Sequence, residues 1–470
     1  MGTIIPRAES SVCQGCLALL RSSVIPGVLI SIASAFVISC GDQPTNSAPV
    51  RPSIKVATRS PVAVAGAPSF GNGSQPTKNG LERDGAGSLR AADSSLRIYG
   101  LQMSRKDLDS LERTVDSNQT YPAKFVADGK TYDVRIRYRG QWARSWPKKA
   151  LKIFFDDAVP FEGQHCINLN SGWRDPAFVR EHLAYMVYAK AGVPAPTSRM
   201  VRIDLNGAFY GLYVEVEQPD KPLLRRSNLK GAALFKAISP SNMADERDLR
   251  TEASFKKHYT RDTQKEEGMA DLQRFCRDLA QASNVAEFMQ QHVDLDEYIN
   301  YLAVSILIQH WDGFNKNHFL AYDRRGSEKW LVIPWDLDRT LGDHWNGSFD
   351  FAQLPVSLGT RQFPGTTGWN RLQDRFFSEP ALRNRLFRRV EELLEKEFTP
   401  EKLFPVLDQL ESEISAAAAL DRRRWPNGTP DVHTGIARLK SYIQRRRAYL
   451  KKELTSLQQS SQPNYTLKSE

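Results

Sequence analysis

The most informative feature of this sequence is a predicted helix that ends in an aspartate-bearing loop. Apolar residues recur at helical spacing from Leu295 to His310, and Asp294 is a suitable N-cap for that helix. The helix ends at Trp311-Asp312-Gly313, and Asn317 follows shortly after Asp312. A carboxylate and an amide therefore lie close together in sequence, directly after a predicted helix.

A predicted hairpin follows this loop and leads into a second polar loop. Strands are predicted from His318 to Tyr322 and from Trp330 to Ile333, with a turn between them. The second strand leads into the acidic segment PWDLD at positions 334–338. In an extended segment, side-chain alternation would place Asp336 and Asp338 on the same side. The order is therefore helix, aspartate-bearing loop, hairpin and acidic loop.

This order suits phosphoryl transfer. Asp312 and Asn317 have the D-x-x-x-x-N spacing of a kinase catalytic loop, and Asp336 stands where a metal-binding aspartate would follow the hairpin. The reaction needs a carboxylate that orients the attacking hydroxyl and accepts its proton, a role that fits Asp312. It also needs hard oxygen ligands for magnesium, which Asn317, Asp336 and Asp338 would supply. The residues leave open whether Asp336 or Asp338 carries the metal.

The first half of the folded region is predicted to be a mainly antiparallel sheet. Strands from Ala123 to Val126 and from Tyr132 to Tyr138 flank Asp128-Gly129, and a later pair of strands flanks Asn206-Gly207. Both dipeptides are favoured two-residue turns. A helix that opens at Asp175-Pro176 and closes at Gly192 is predicted to pack on this sheet.

A group of cations lies on and beside a strand predicted from Ala150 to Phe155. Its members are Arg144, Lys148, Lys149 and Lys152. Such a group can hold polyphosphate, and the alternative is a solvated sheet edge. The residues leave Lys149 and Lys152 open as the phosphate contact, with Arg139 close by. Glu181 could pair with that lysine, although a solvated surface position is the prediction for it.

Several motifs together resemble the CotH family of atypical protein kinases. They are Arg139-Gly140 with Lys148-Lys149, the strand Asn206 to Glu217 (NG-x-x-x-GLYVEVE), Leu234-Phe235-Lys236, Asp312 with Asn315 and Asn317, and IPWDLD from Ile333 to Asp338. The resemblance covers about residues 96–455. No G-x-G-x-x-G loop is present and no His-Arg pair precedes Asp312, so the resemblance is to a divergent kinase.

The resemblance implies an α+β, bilobal atypical protein-kinase-like fold. Its small lobe would be an antiparallel sheet with one packed helix, and its large lobe would be mainly helical. The resemblance also implies binding of ATP and Mg²⁺, with Mn²⁺ as an alternative metal, and phosphorylation of a protein. Asp312 matches the catalytic aspartate, and Asn317, Asp336 and Asp338 match metal-binding positions. The nucleotide contacts expected from the matched motifs are Arg139, Lys149, Lys152, Glu217 and Lys236.

The N-terminus resembles the signal sequence of a bacterial lipoprotein. Arg7 and Arg21 precede a short apolar run from Val24 to Ile38, and the run ends in the lipobox-like segment VISC at 37–40. Cys40 is therefore the predicted lipidation site, which would hold the protein on a bacterial membrane, outside the cytoplasm. An uncleaved anchor and an accidental apolar stretch are the alternatives.

The predicted domains follow from these boundaries. They are a signal peptide at 1–40, a disordered linker at 41–95, a small lobe at 96–217, a large lobe at 218–457 and a disordered tail at 458–470. The linker is rich in Pro, Ser, Gly, Ala and Asn and has no sustained apolar period. Cys166 and Cys276 are predicted to be buried thiols rather than a disulfide.

Two functional hypotheses remain at this point. The first is Mg²⁺-dependent transfer of the ATP γ-phosphoryl group to Ser or Thr of a secreted or surface protein. The second is a catalytically inactive surface or coat module that binds wall polymer or protein partners through its basic face. The net charge of +10 favours polyanions, but basic and aromatic residues do not interleave as in a nucleic-acid platform, so nucleic acid is not expected.

Overall fold

The computed structural model describes residues 82–83, 89–90, 96–238, 242–349, 351–366 and 368–460. The predicted signal peptide, Cys40, most of the predicted linker and the tail from residue 461 lie outside the described residues. Two short strands, β1 (Glu82–Arg83) and β2 (Leu89–Arg90), pair antiparallel ahead of the main fold. None of the helices in the described part of the chain is long and apolar enough to cross a lipid bilayer.

A closed seven-stranded barrel forms the first part of the main fold. Its strands are β3 (Arg97–Gln102), β4 (Tyr121–Ala127), β5 (Lys130–Arg139), β6 (Ala150–Phe155), β7 (Cys166–Asn170), β8 (Ser198–Leu205) and β9 (Ala208–Glu217). They pair in the order β3-β4-β5-β6-β7-β9-β8. Every pair is antiparallel except β3 with β8, which pair in parallel and close the barrel.

The barrel corrects the predicted shape of this region. The α+β class and the mainly antiparallel pairing are confirmed, but the strands close into a barrel, which the sequence did not predict. The pairing that closes the barrel joins β3 with β8, which are far apart in sequence, so no local sequence pattern predicts it. The two predicted turns are confirmed: Asp128 and Gly129 have φ of 50° and 74°, and Asn206 and Gly207 have φ of 51° and 80°.

A larger core lies among the helices and a second sheet. This sheet has the order β11-β10-β12-β13 and consists of β10 (Ala233–Ala237), β11 (Tyr259–Arg261), β12 (His318–Tyr322) and β13 (Trp330–Pro334). The helices are α1 (Arg105–Arg113), α2 (Arg180–Lys190), α3 (Lys221–Arg226), α4 (Glu252–His258), α5 (Ala270–Gln281), α6 (Val285–His292), α7 (Leu295–Ile308), α8 (Arg371–Ser378), α9 (Pro380–Lys396), α10 (Pro400–Arg424) and α11 (Val432–Ser460).

Two helices position the candidate site. Helix α7 is the predicted buried helix, and the Asp294 side chain caps it by accepting a hydrogen bond from the Glu297 N–H at 3.2 Å. Helix α2 begins five residues later than Asp175, where the sequence predicted its start. Asp175 still accepts hydrogen bonds from the N–H groups of Ala177 and Arg180, but a turn at 176–179 separates it from the helix. The buried face of α2 belongs to the larger core.

A buried ion pair joins the barrel to α10. Lys148 and Asp421 are almost completely buried, and Lys148 Nζ lies 2.5 Å from Asp421 Oδ2. Both bond the same barrel residue: Lys148 donates to the Leu212 carbonyl, and Asp421 accepts from the Leu212 N–H. A Cβ on Gly211 would approach Lys148 Cε to 2.9 Å and Asp421 Oδ2 to 3.0 Å, so glycine leaves room for the pair. We call Lys148, Asp421 and Gly211 the seam.

Candidate active site

A cleft of about 390 Å³ brings together polar residues from the barrel, from α2, and from the two loops that precede and follow the β12–β13 hairpin. Of the residues predicted from the sequence, five line it: Arg139, Asp312, Asn317, Asp336 and Asp338. Glu181, Asn170 and the loop between β7 and α2 form another part of its wall.

The two loops meet because of how the hairpin pairs. In the β12–β13 register, His318 lies opposite Pro334, and the Trp335 N–H donates to the Asn317 carbonyl at 3.1 Å. Asn317 and Asp336 therefore flank the same end of the hairpin. Both have left-handed backbone conformations, with φ of 59° and 58°, which asparagine and aspartate tolerate better than most side chains.

The segment after Asp336 is not extended, contrary to the prediction. Residues Leu337–Arg339 form a short 3₁₀ turn that follows the left-handed Asp336. Both Asp336 and Asp338 line the cleft all the same. The two carboxylates face the same cleft because of this turn and not because of strand alternation, since the alternation of side chains holds only in an extended backbone.

Asp312 is held from two sides by neighbours in its own loop. Its Oδ2 accepts a hydrogen bond from Asn317 Nδ2 at 3.0 Å, and its Oδ1 lies 3.0 Å from Lys316 Nζ. Burial raises the pKa of the Asp312 carboxyl, and the nearby Lys316 opposes this effect. A carboxylate whose orientation is fixed in this way, at the edge of a cleft, is suited to accept a proton from a bound hydroxyl.

Asp336, Asp338 and Glu181 form a group of carboxylates that we call the acidic end of the cleft. Burial, together with Asp336 and Glu181, raises the pKa of Asp338 well above its usual range. Burial and the Asp336 carboxylate raise the pKa of Glu181 to about 7. Like charges crowded in a buried place disfavour one another's ionisation, so this group would gain from a bound cation.

Glu181 was predicted to be a solvated surface residue, and the structure corrects this. Its side chain is buried, and both carboxylate oxygens accept hydrogen bonds from Asn170 Nδ2, at 2.9 and 2.8 Å. Asn170 in turn accepts a hydrogen bond from the Arg139 guanidinium. A sequence signal existed, because Glu181 falls between Phe178 and Tyr185 at helical spacing and both of these are buried.

The other predicted nucleotide contacts make their contacts with other residues of the chain and do not line this cleft. Lys149 Nζ donates to the Trp146 carbonyl at 2.5 Å, and Lys152 Nζ donates to Gln218 Oε1 at 2.6 Å. Glu217 pairs with Arg226 at 2.6 Å. Lys236 lies over the ring of Trp335, 5.3 Å from its centroid, and burial lowers the pKa of Lys236 to about 8. None of these four side chains lines the described cleft.

The donor chemistry of the acidic end fits a hard divalent cation such as Mg²⁺. Asn317, Asp336, Asp338 and Glu181 offer oxygen ligands, and the three carboxylates carry a surplus of negative charge. Among the described residues, however, no group of three or more His, Cys, Asp and Glu side chains is already gathered in a metal-binding arrangement. The residues therefore supply the right atoms, and binding would have to draw them together.

Comparison with known proteins connects this cleft to a family. The sequence model of the family described as CotH kinase protein matches residues 136–450, which is more than half of the chain. The chain belongs to the CotH kinase protein family. The CotH match begins within β5 and ends within α11, so it includes every residue of the cleft described above.

Two spore coat proteins and one solved structure match a similar share of the chain. The chain is 27% identical over 379 residues to inner spore coat protein H of Bacillus subtilis (strain 168), covering 77% of this chain and 99% of that protein. It is 22% identical over 342 residues to an inner spore coat protein H-like protein of the same organism, covering 71% and 93%. The crystal structure of the Helicobacter pylori proinflammatory kinase CtkA aligns with a TM-score of 0.32 and 10% identity, covering 65% of this chain and 95% of that chain.

Proposed function

We propose that this protein is a CotH-type kinase that transfers the γ-phosphoryl group of ATP to Ser or Thr side chains of a protein, with Mg²⁺ as cofactor. The observation that carries this proposal is that Asp312, Asn317 and Asp336 lie in one cleft at one end of one hairpin, with Asp338 and Glu181 in the same cleft. Family membership supports the same reaction class. A binding module has no evident need for a buried surplus of carboxylates.

The residues of the cleft divide the chemistry among them. Asp312 would orient the acceptor hydroxyl and take its proton, while Lys316 and Asn317 hold the carboxylate in place. The Asn317 amide nitrogen is used in that bond, so its side-chain oxygen remains for the metal. Asp336 and Asp338 would supply the other oxygens, and Mg²⁺ would neutralise phosphate charge when bound. Arg139, which also lines the cleft, would contact the phosphates.

The test is nucleotide binding by the purified protein, followed as Mg²⁺-dependent thermal stabilisation with ATP, beside Asp336→Ala. A ligand that binds only the folded form raises its melting temperature. We expect a shift that needs both Mg²⁺ and Asp336. Transfer of labelled phosphate from γ-labelled ATP to the protein itself or to casein is expected in the wild type alone.

The outcome against the proposal is equally clear. A folded protein that shows no shift at millimolar ATP, with or without Mg²⁺ or Mn²⁺, is not a kinase of this kind. The function would then be that of a surface or coat module that binds wall polymer or protein partners through its basic face. Asp296→Asn, at an exposed carboxylate outside the cleft, is the matched control for the loss of a carboxylate charge.

We further propose that the acceptor protein lies outside the cytoplasm and that Cys40 anchors the kinase to a bacterial membrane. Support comes from the basic residues, the short apolar run and the small residues before Cys40. Expression in a bacterium with a labelled fatty acid would test this. Label in the wild type and none in Cys40→Ser is the expected result, and equal labelling of both would refute the anchor at this position.

A further inference from the structure

The cations of the cleft differ in whether they are already paired. Arg180 lies 3.4 Å from Asp175 and donates to the carbonyls of Thr340 and Leu341. Arg339 pairs with Asp343 at 2.9 Å, and Lys316 pairs with Asp312. These three cations therefore have internal roles that a ligand would have to disrupt.

Two arginines of the cleft have no carboxylate partner among the described residues. Arg139 bonds only the neutral amide of Asn170 and lies over the Trp335 ring. Arg174 lines the cleft, is half-buried, and makes no hydrogen bond or ion pair within the described part of the chain. Asp343 acts on Arg174 electrostatically at longer range, but its ion-pair contact is with Arg339. The cleft thus has two unpaired guanidinium groups besides its acidic end.

The loop that carries Arg174 is fixed at its backbone. It runs from Ser171 to Arg174, directly after Asn170, and the Asp175 N–H closes it by donating to the Gly172 carbonyl at 3.1 Å. The Trp173 carbonyl accepts a hydrogen bond from Asn427 in the segment between α10 and α11. Gly172 has a φ of 57°, and a Cβ there would approach the Phe178 ring to 3.1 Å. The backbone is therefore held on both sides, while the Arg174 guanidinium makes no hydrogen bond or ion pair with any described residue.

The same loop contains a second polar group without a partner. Ser171 lines the cleft and is 2% exposed, and its Oγ has no hydrogen bond to any of the described residues. A buried hydroxyl in that state is unfavourable unless a bound group or water satisfies it. An unpaired hydroxyl and an unpaired guanidinium on one rigid loop are a suitable set for an oxyanion.

We propose that the loop Ser171–Arg174 is the polyphosphate-binding loop of this cleft, with Arg174 and Arg139 contacting the phosphate groups. This inference rests on the proposed function and names the residues that hold the nucleotide's phosphates. Arginine presents a planar fork that matches phosphate oxygens in pairs. The loop would take the place of the glycine-rich loop that this sequence lacks. Arg174 would take the place of a phosphate-binding lysine, because neither Lys149 nor Lys152 lines the cleft.

The test compares ligands that share the phosphates with a ligand that lacks them. Binding of Mg·ATP, tripolyphosphate and adenosine to the full-length protein would be measured by calorimetry for the wild type, Arg174→Ala and Arg174→Lys. We expect Arg174→Ala to weaken ATP and tripolyphosphate about 10-fold to 100-fold, the effect of one charge-assisted hydrogen bond, with adenosine unchanged. The affinity of Arg174→Lys for the two phosphate ligands should lie between those of the wild type and Arg174→Ala, because lysine keeps the charge but lacks the planar guanidinium fork.

Two controls make the result specific. Arg423→Ala removes an exposed arginine outside the cleft and should leave all three affinities unchanged. Ser171→Ala should weaken the two phosphate ligands by about 2-fold to 10-fold, as expected for a neutral hydrogen bond. Arg174→Ala should keep the wild-type melting temperature, since Arg174 makes no hydrogen bond or ion pair with the described residues.

Failure of this inference is distinguishable from failure of the proposed function. If the wild type binds ATP and Arg174→Ala binds it equally well, the loop assignment is wrong and the kinase proposal stands. If the wild type binds tripolyphosphate but not ATP, and Arg174→Ala loses that binding, the loop assignment stands and the kinase proposal fails. If the wild type binds neither ligand, both are wrong.

Discussion

Two parts of this protein bury charge in opposite ways. At the seam, Lys148 is paired with Asp421 at 2.5 Å, and both groups also bond Leu212. At the acidic end, Asp336, Asp338 and Glu181 line the same cleft, and burial together with the Asp336 carboxylate raises the pKa of Glu181 to about 7. The seam combines one cation with one anion, whereas the acidic end contains three carboxylates.

The difference separates structural charge from functional charge. A buried pair with matched partners holds the barrel against α10, and removing one partner leaves the other uncompensated. Carboxylates that repel one another cost stability in the free protein and become favourable only when a cation binds. We therefore expect seam variants to lose stability and cleft variants to lose activity.

The largest expected effect is on activity. Asp312→Asn should lower the rate of phosphoryl transfer by about 10²-fold to 10⁴-fold, because an amide cannot accept the hydroxyl proton. The free energy of unfolding should change by less than about 1 kcal/mol, since the side chain keeps its size. Transfer assays at saturating ATP and urea unfolding would measure the two quantities. Unchanged transfer would remove Asp312 from the chemistry.

The next effect is on stability. Asp421→Leu should lower the free energy of unfolding by about 3–5 kcal/mol, because it leaves Lys148 buried and unpaired. Burial already lowers the pKa of Lys148 to about 8 despite the opposing effect of Asp421. The double variant Lys148→Met/Asp421→Leu should regain most of the loss in urea unfolding. A loss below about 1 kcal/mol in the single variant would contradict the structural role of the seam.

Glu181→Gln tests the acidic end through pH. The folded-state pKa of Glu181 is raised from 4.5 to about 7, so its favourable contribution is present below pH 4.5 and is lost as pH rises to 7. At pH 7 the wild type should carry a penalty of up to about 3 kcal/mol that the glutamine variant lacks.

The measurement is urea unfolding of both proteins at several values between pH 4.5 and 7. As the pH rises across this range, the free energy of unfolding of Glu181→Gln should increase relative to that of the wild type. The difference should become smaller when Mg²⁺ is added to the wild type, because the cation compensates the carboxylate charge. A difference that does not change with pH would mean that Glu181 is not crowded by its acidic neighbours.

The smallest expected effect concerns Gly211. Gly211→Ala should cost about 1–3 kcal/mol, because the added Cβ approaches Lys148 Cε and the Tyr213 ring to 2.9 Å. In the Lys148→Met/Asp421→Leu variant, the loss of stability caused by Gly211→Ala should be different, since two of the side chains that the added Cβ meets have been replaced. Equal costs in both backgrounds, measured by thermal unfolding, would show that Gly211 does not serve the seam.

The sequence alone determined the local elements and the order of the site. The N-cap at Asp294, the turns at Asp128-Gly129 and Asn206-Gly207, and the strands of the β12–β13 hairpin could all be predicted. These features depend on hydrogen bonds and backbone preferences within a few residues, so the information is present in the segment itself. The same applies to the placement of Asp312 and Asn317 after a buried helix.

Which charged side chains reach the cleft depends on contacts between distant parts of the chain. Lys148 pairs with Asp421, and Lys152 donates to Gln218, each a partner far away in sequence. Arg174 lines the cleft and makes no hydrogen bond or ion pair with the residues that the structure describes. Barrel closure through β3 and β8 likewise depends on distant strands. Long charged side chains find their partners by proximity in space, and the energies of those contacts depend on burial that no local pattern specifies.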